Sequence, residues 1–229
     1  MSAGYRAVSW GLLVLASACG GSGSGTGTGT GSAERVPSSE LQAPVTPPAA
    51  AAPLPASPIV TRARLEVARG VTYDAAWFAI PYPNGDPAPD RGVCTDVVIR
   101  SLRTIGIDLQ QLVHEDILRR RTAYVTVTRP DRNIDHRRVT PMLTYLRTHA
   151  TPLPRAFAGE ADLATWEPGD VVVWAFKPCP ACSPDHVGIV SDRKGPRGLP
   201  LVLHNIGPRP SEDDRLDAWT VLGHFRLDP

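Results

Sequence analysis

Near Trp166 the hydrophobic pattern of this chain changes period, and that change limits the folds open to it. Upstream, apolar residues recur every three or four positions. Val98, Leu102 and Ile105 follow Cys94, and Leu109, Leu112, Val113 and Ile117 come after them. This spacing lays one apolar stripe along a helix. Gly106 is placed to stop the first of these helices, and Thr140-Pro141 to open another through Leu143 and Leu146. Thr61 to Val71 forms a further short helix through Leu65 and Val67-Ala68, ending at Gly70. Downstream, Pro168-Gly169-Asp170 turns into the β-branched run Val171-Val172-Val173-Trp174. Val187-Gly188-Ile189-Val190, Pro200 to His204 and Trp219 to Leu227 give three more strands. Helices first and hairpin-linked strands afterwards predict an α+β domain, with N-terminal helices packed on an antiparallel β-sheet.

The second and third strands flank Asp192-Arg193-Lys194-Gly195-Pro196-Arg197-Gly198. In an antiparallel hairpin, paired residues share a constant sum of sequence numbers. A hairpin folded symmetrically about Gly195 therefore sets His186 directly across from His204, close enough to touch. A slip of one residue would send them to opposite faces.

Cys94 stands where a proline-rich approach, Pro81 to Arg91, becomes the first amphipathic helix. Gly92 permits a tight entry turn. A thiol in the first helical turn meets unpaired N–H groups and the positive end of the dipole, both of which favour thiolate. With two imidazoles on the sheet this makes a nucleophile, base and orienter set: Cys94, His186 and His204. The oxyanion would lie against the backbone N–H groups at the helix start. Asn205 is the alternative third member.

The first sixty residues have another character. Arg6 and the apolar run Ala7 to Ala18 read as an export signal too short to remain as a membrane span. The run ends Leu15-Ala16-Ser17-Ala18-Cys19, which resembles a bacterial lipoprotein signal with Cys19 as the lipidated residue; an ordinary cleaved secretion signal is the alternative. Residues 1–18 are thus expected to be signal peptide. Residues 19–60, Gly/Ser/Thr-rich and then Ala/Pro-rich, are expected to be a tether. The folded domain is expected over residues 61–229. With 24 basic and 23 acidic residues, the balance excludes the strongly basic surface of a nucleic-acid binder.

The quoted motifs also resemble a known superfamily. Cys94 at a helix start, Pro168-Gly169-Asp170 before a strand, Asp185-His186-Val187-Gly188-Ile189-Val190 and a later strand ending in His204 resemble the NlpC-type branch of papain-like cysteine peptidases and amidases. More closely, Ile80 to Asp86, Gly92 to Arg100, Arg129 to Arg138 and His204-Asn205-Ile206-Gly207 resemble an uncharacterised bacterial family catalogued as domain of unknown function 1287. The resemblance implies the NlpC-type fold and matches Cys94, His186 and His204 to the superfamily's catalytic positions.

Asp96 and the charged run Arg129 to Arg138 are the expected substrate contacts: Arg132, Asp135, His136 and Arg137, with Arg138 beside them and His136 as a second candidate base. Outside the cytoplasm, Cys179 and Cys182 are expected to close a disulfide, leaving Cys94 as the odd thiol. A rival reading makes Cys179, Cys182, His186 and His204 a zinc set; another keeps the fold without the chemistry, as a cell-wall-binding lipoprotein. The expectation is an exported, lipid-anchored, monomeric cysteine amidase or peptidase without metal or cofactor. It would act on a peptide or peptidoglycan-like substrate, with a membrane and no nucleic acid as its other surroundings.

Overall fold

A computed structural model describes residues 57–228. The export signal, Cys19 and most of the tether lie outside the described residues. The domain starts slightly earlier than expected, with α1 spanning Pro58–Arg69 and ending on Gly70 in the left-handed conformation. Its inward face also differs from the expected one. Ile59, Val60, Ala63 and Glu66 are buried, whereas Leu65 is exposed. The reason is Glu66, which a hydropathy reading keeps outside. It turns inward because the buried Arg100 guanidinium lies 2.6 Å away.

Two short strands, β1 (Thr72–Tyr73) and β2 (Arg91–Gly92), pair in parallel and lead the chain to α2 (Cys94–Leu102). Every residue of α2 is buried, because it lies between α1 and the sheet. A helix so enclosed must satisfy its polar side chains internally. Thr95 donates to the Arg137 carbonyl, Ser101 to the Val97 carbonyl, and Arg100 to Glu66 and the Arg91 carbonyl. A one-turn 3-10 segment, Arg103–Ile105, follows, and Gly106 at φ 84° ends it at the expected stop.

Helix α3 (Leu109–Arg119) is capped by the Asp108 carboxylate, and buries Leu109, Val113 and Ile117 as its stripe requires. Helix α4 (Val139–His149) begins ahead of Thr140, so Pro141 falls at its third position rather than its first. Strand β3 (Thr151–Pro152) and the single turn α5 (Glu160–Leu163) complete the first half.

The sheet contains β4 (Val171–Ala175), β5 (His186–Lys194), β6 (Pro200–Asn205), β7 (Pro210–Asp213) and β8 (Thr220–Arg226), in the order β3-β8-β4-β5-β6-β7, antiparallel throughout. The architecture is α+β, as expected. The last strand returns to pair with β4, and β7 was not foreseen. One sheet face (Val171, Val173, Val187, Ile189, Leu203, Phe225) packs with the helices. The other (Val172, Trp174, Val190, Val202) packs with Trp166 and Leu216.

Candidate active site

The β5–β6 hairpin is not symmetric about Gly195. Ile189 pairs with Leu203 and Val190 with Val202, a register two residues away from the symmetric one. A slip of two keeps every side chain on its face, so His186 and His204 become diagonal neighbours instead of direct partners. Gly188 falls opposite His204 and makes the diagonal contact feasible. A methyl group there would stand 3.1 Å from the His204 Cβ and 3.3 Å from the Trp174 ring. The two rings meet with His186 Nε2 and His204 Nδ1 2.6 Å apart.

The rest of that chain of bonds fixes the tautomers. His204 Nε2 lies 2.8 Å from Asp213 Oδ1, and a carboxylate only accepts, so His204 donates from Nε2. A neutral His204 then accepts at Nδ1, which requires His186 to donate from Nε2. His186 Nδ1 is left unprotonated, the nitrogen a general base would use. Asp213 is held below the usual carboxylate range, because the hydrogen bonds from His204 and Ser211 outweigh burial. This residue was missed in the sequence. It ends β7, whose Pro210-Ser211-Glu212-Asp213 run has no apolar alternation to announce a strand.

His186 and His204 are buried on the sheet face away from the helices, beside Trp174. Trp174 and Phe176 both stack on His186 at 5.6 Å, and Trp219 meets it edge-on. Burial in that aromatic surround, aided by the neighbouring His204, holds the His186 pKa down at about 3. The imidazole is therefore neutral at pH 7.

Cys94 reaches the same strand from the helical side. Val190 exchanges backbone bonds with Gly169 and Asp170 on the β4 side, so alternation turns Ile189 and Val187 toward β6. The β5–β6 ladder ends at Ile189 and Leu203, which leaves the Val187 N–H beyond it. That N–H, with those of Thr95 and Cys94, lies near enough to the Cys94 sulfur to favour its thiolate form. Asn205 braces the same fork, with Nδ2 donating to the Gly92 carbonyl and Oδ1 accepting from the Gly207 N–H. Its amide is thus used on the loop before α2, and His204 occupies the position beside His186.

The thiolate expected from the helix start is not the resting state. Burial raises the thiol to about 12, against the N–H donors, and the nearby Asp96 charge pushes in the same direction. No hydrogen bond among the described residues joins the sulfur to either imidazole. Cys94 lines a cavity of about 330 Å³ with Tyr73, Ala75, Val93, Ile134, Arg138 and Asp185.

Several of the expected substrate contacts make bonds that brace the fold. The Asp96 carboxylate accepts from the Val93 N–H at 2.7 Å, closing the start of α2, and from Arg137 at 3.0 Å. Arg137 also donates to the Ala76 and Asp74 carbonyls. Asp135 is buried, accepting from Asp131 N–H and bonded to His114 Nδ1. His136 is also buried, its Nδ1 without a hydrogen-bond partner and its pKa held at about 3 by burial and then by Arg137 and Arg103. All four are buried, and Arg137 also lines the Cys94 cavity. Arg132 and Arg138 remain exposed. Cys179 and Cys182 are joined in a disulfide with Cα atoms 4.5 Å apart, so the rival zinc set cannot form from them.

The loops around the cavity share one clamp, Gln110, also not foreseen. Its side chain accepts from the Gly85 N–H and donates to the Pro81 and Arg132 carbonyls. It ties together the Ile80–Asp86 and Arg129–Arg138 motifs. The family model described as "Domain of unknown function (DUF1287)" matches residues 60–227. The chain belongs to the DUF1287 family. Its domain is also 40% identical over 171 residues to "Uncharacterized protein YijF" of Escherichia coli (strain K12), covering 73% of this chain and 80% of that protein. No solved structure matches this DUF1287 chain.

Proposed function

We propose that this DUF1287 domain is a cysteine hydrolase of NlpC type, cleaving an amide by acyl transfer through Cys94. The observation that carries the reading is the His186–His204–Asp213 chain, both imidazoles buried, which ends in an unprotonated Nδ1 on the strand whose next N–H lies near the only free thiol among the described residues. A cysteine opening a helix that packs on a meander, with histidines on its second and third strands, supports the NlpC-type assignment.

In this mechanism, substrate binding draws the Cys94 thiol into reach of His186 Nδ1, a contact that resting enzymes often lack. His186 accepts the thiol proton as sulfur attacks the carbonyl carbon. The oxyanion is met by N–H groups at the start of α2. His186 then gives the proton to the leaving amine, and water hydrolyses the thioester by the same route. His204 keeps Nδ1 of His186 basic, and Asp213 keeps His204 in the required tautomer.

Export and lipid anchoring through Cys19 would place the domain in the cell envelope. Stem peptides of peptidoglycan are the first substrates to assay, because a tethered domain suits a polymer near a membrane. On such peptides Cys94→Ala should abolish turnover while costing about 1 kcal/mol of stability. A fully active Cys94→Ala protein would end the nucleophile assignment.

A second reading has its own observation. The protonated, enclosed thiol, bonded to neither ring, suits a binding protein that keeps the fold without the chemistry. That reading requires stem peptides to bind intact, with Cys94→Ala binding them as the wild type does and neither protein cleaving them.

A further inference from the structure

Beside the Cys94 cavity, and sharing Ile134 and Arg138 with it, lies a groove of about 660 Å³ lined by the 128–134 segment, Trp77 and His114. Three of its side chains are the exposed arginines Arg129, Arg132 and Arg138. None of the three has a carboxylate within salt-bridge distance among the described residues. Three other guanidiniums, by contrast, each lie against paired acids: Arg197 with Asp214 and Asp217, Arg64 with Asp192 and Glu212, Arg226 with Glu167 and Asp170. The groove thus gathers three guanidinium groups that form no ion pair among the described residues.

The acidic group inside the groove feels the Arg138 charge but forms an ion pair with none of the three. Asp131 accepts from Trp77 Nε1 at 2.8 Å and from the Asn133 backbone and side chain, which fixes its carboxylate. Arg132 lies over the Tyr82 ring, 5.7 Å from its centre, so its stem is steadied without its charge being neutralised. The lining therefore carries three guanidiniums against one occupied carboxylate. Trp77, roughly half exposed, adds an apolar surface next to them.

From this we infer that the groove is a recognition subsite for a peptide carrying two or more carboxylates, seated so that its scissile amide reaches Cys94. The inference deepens the hydrolase reading and rests on it for the position of the scissile bond. Planar forks of N–H donors match carboxylates in bidentate fashion. Arg138 lines both spaces, so a carboxylate held by it would sit close to the reacting carbonyl. The subsite selects among substrates by charge and takes no part in proton transfer.

Binding is measured separately from cleavage, by calorimetry on the full chain carrying Cys94→Ala. The probes are a blocked peptide with two adjacent glutamates, its glutamine counterpart and inorganic phosphate. The acidic peptide should bind, the glutamine peptide at least about tenfold more weakly, and Arg132→Gln or Arg138→Gln should each cost about tenfold. Raising salt should weaken the acidic peptide alone. Equal binding of both peptides, unchanged affinity in the Arg132→Gln/Arg138→Gln variant, or phosphate binding tighter than the acidic peptide would overturn the inference. If the wild-type chain then cleaves neither peptide while charge-selective binding holds, the nucleophile reading fails and the subsite stands. If it cleaves both equally, the subsite fails and the nucleophile stands.

Discussion

At the scale of single residues, the site is governed by which charges burial allows. Cys94 and His186 are both held neutral, the thiol raised to about 12 and the imidazole lowered to about 3. Proton transfer therefore belongs to the substrate complex and not to a standing thiolate–imidazolium pair. The acid limb of kcat/KM should consequently lie well below the ordinary histidine range, with turnover persisting at pH 5. A half-loss of activity near pH 6.5 would show His186 titrating as an exposed histidine does. Replacing His186 by Ala should slow turnover by about a hundredfold or more. Asp213→Asn should cost about tenfold, since it disturbs only the tautomer of His204. Steady-state kinetics on the two variants ranks them, and a larger effect from Asp213 would contradict the order. Asp96 and Arg137 belong to another class of residue. They form a buried pair 3.0 Å apart, and Arg137→Ala should destabilise the fold by about 3–5 kcal/mol in denaturant titration.

At the scale of elements, the decisive feature is the fork between β5 and β6, wedged by Gly92-Val93-Cys94. Gly188 is its most sensitive position, because a Cβ would meet the Leu203 carbonyl and the His204 Cβ, both at 3.1 Å. Gly188→Ala should cost about 1–3 kcal/mol and part the two imidazoles, lowering turnover as well. Undiminished activity with unchanged stability would contradict this packing. The helices were legible in the sequence because their stripes are regular, and Cys94 at the start of α2 followed from them. The pairing of His186 with His204 was legible in face but not in register. Loop composition does not reveal that Lys194 pairs with Pro200 across a shifted ladder. The inward face of α1 was misread because Glu66 is buried by an ion pair with a residue 34 positions away. The pairing of Asp96 with Arg137 was not legible, because a charged motif reads the same whether its partner is a ligand or another part of the chain.

At the scale of the whole molecule, several groups make stability depend on pH in the same direction. His136 and His186 titrate at about 3 when folded, against an ordinary 6.5. The unfolded chain binds their protons first. Their contribution is fully present above pH 6.5 and is lost as pH falls toward 3. The depressed carboxylates of Asp116, Asp131 and Asp213 add to the loss at lower pH still. Melting temperature should drop steadily between pH 6.5 and 4, and His136→Phe should flatten that slope. Parallel melting curves for wild type and variant would contradict the assignment. The domain as a whole brings a helix and a meander together at one seam, with the thiol approaching from the helical side and the imidazoles set on the aromatic side.

Whether that seam is reactive is tested most directly by labelling the full chain with a peptidyl acyloxymethyl ketone at neutral pH, then reading intact mass and peptide maps. Modification should fall on Cys94 and slow by about a hundredfold or more in His186→Ala. An unlabelled Cys94, or one labelled equally fast in His186→Ala, would contradict the account.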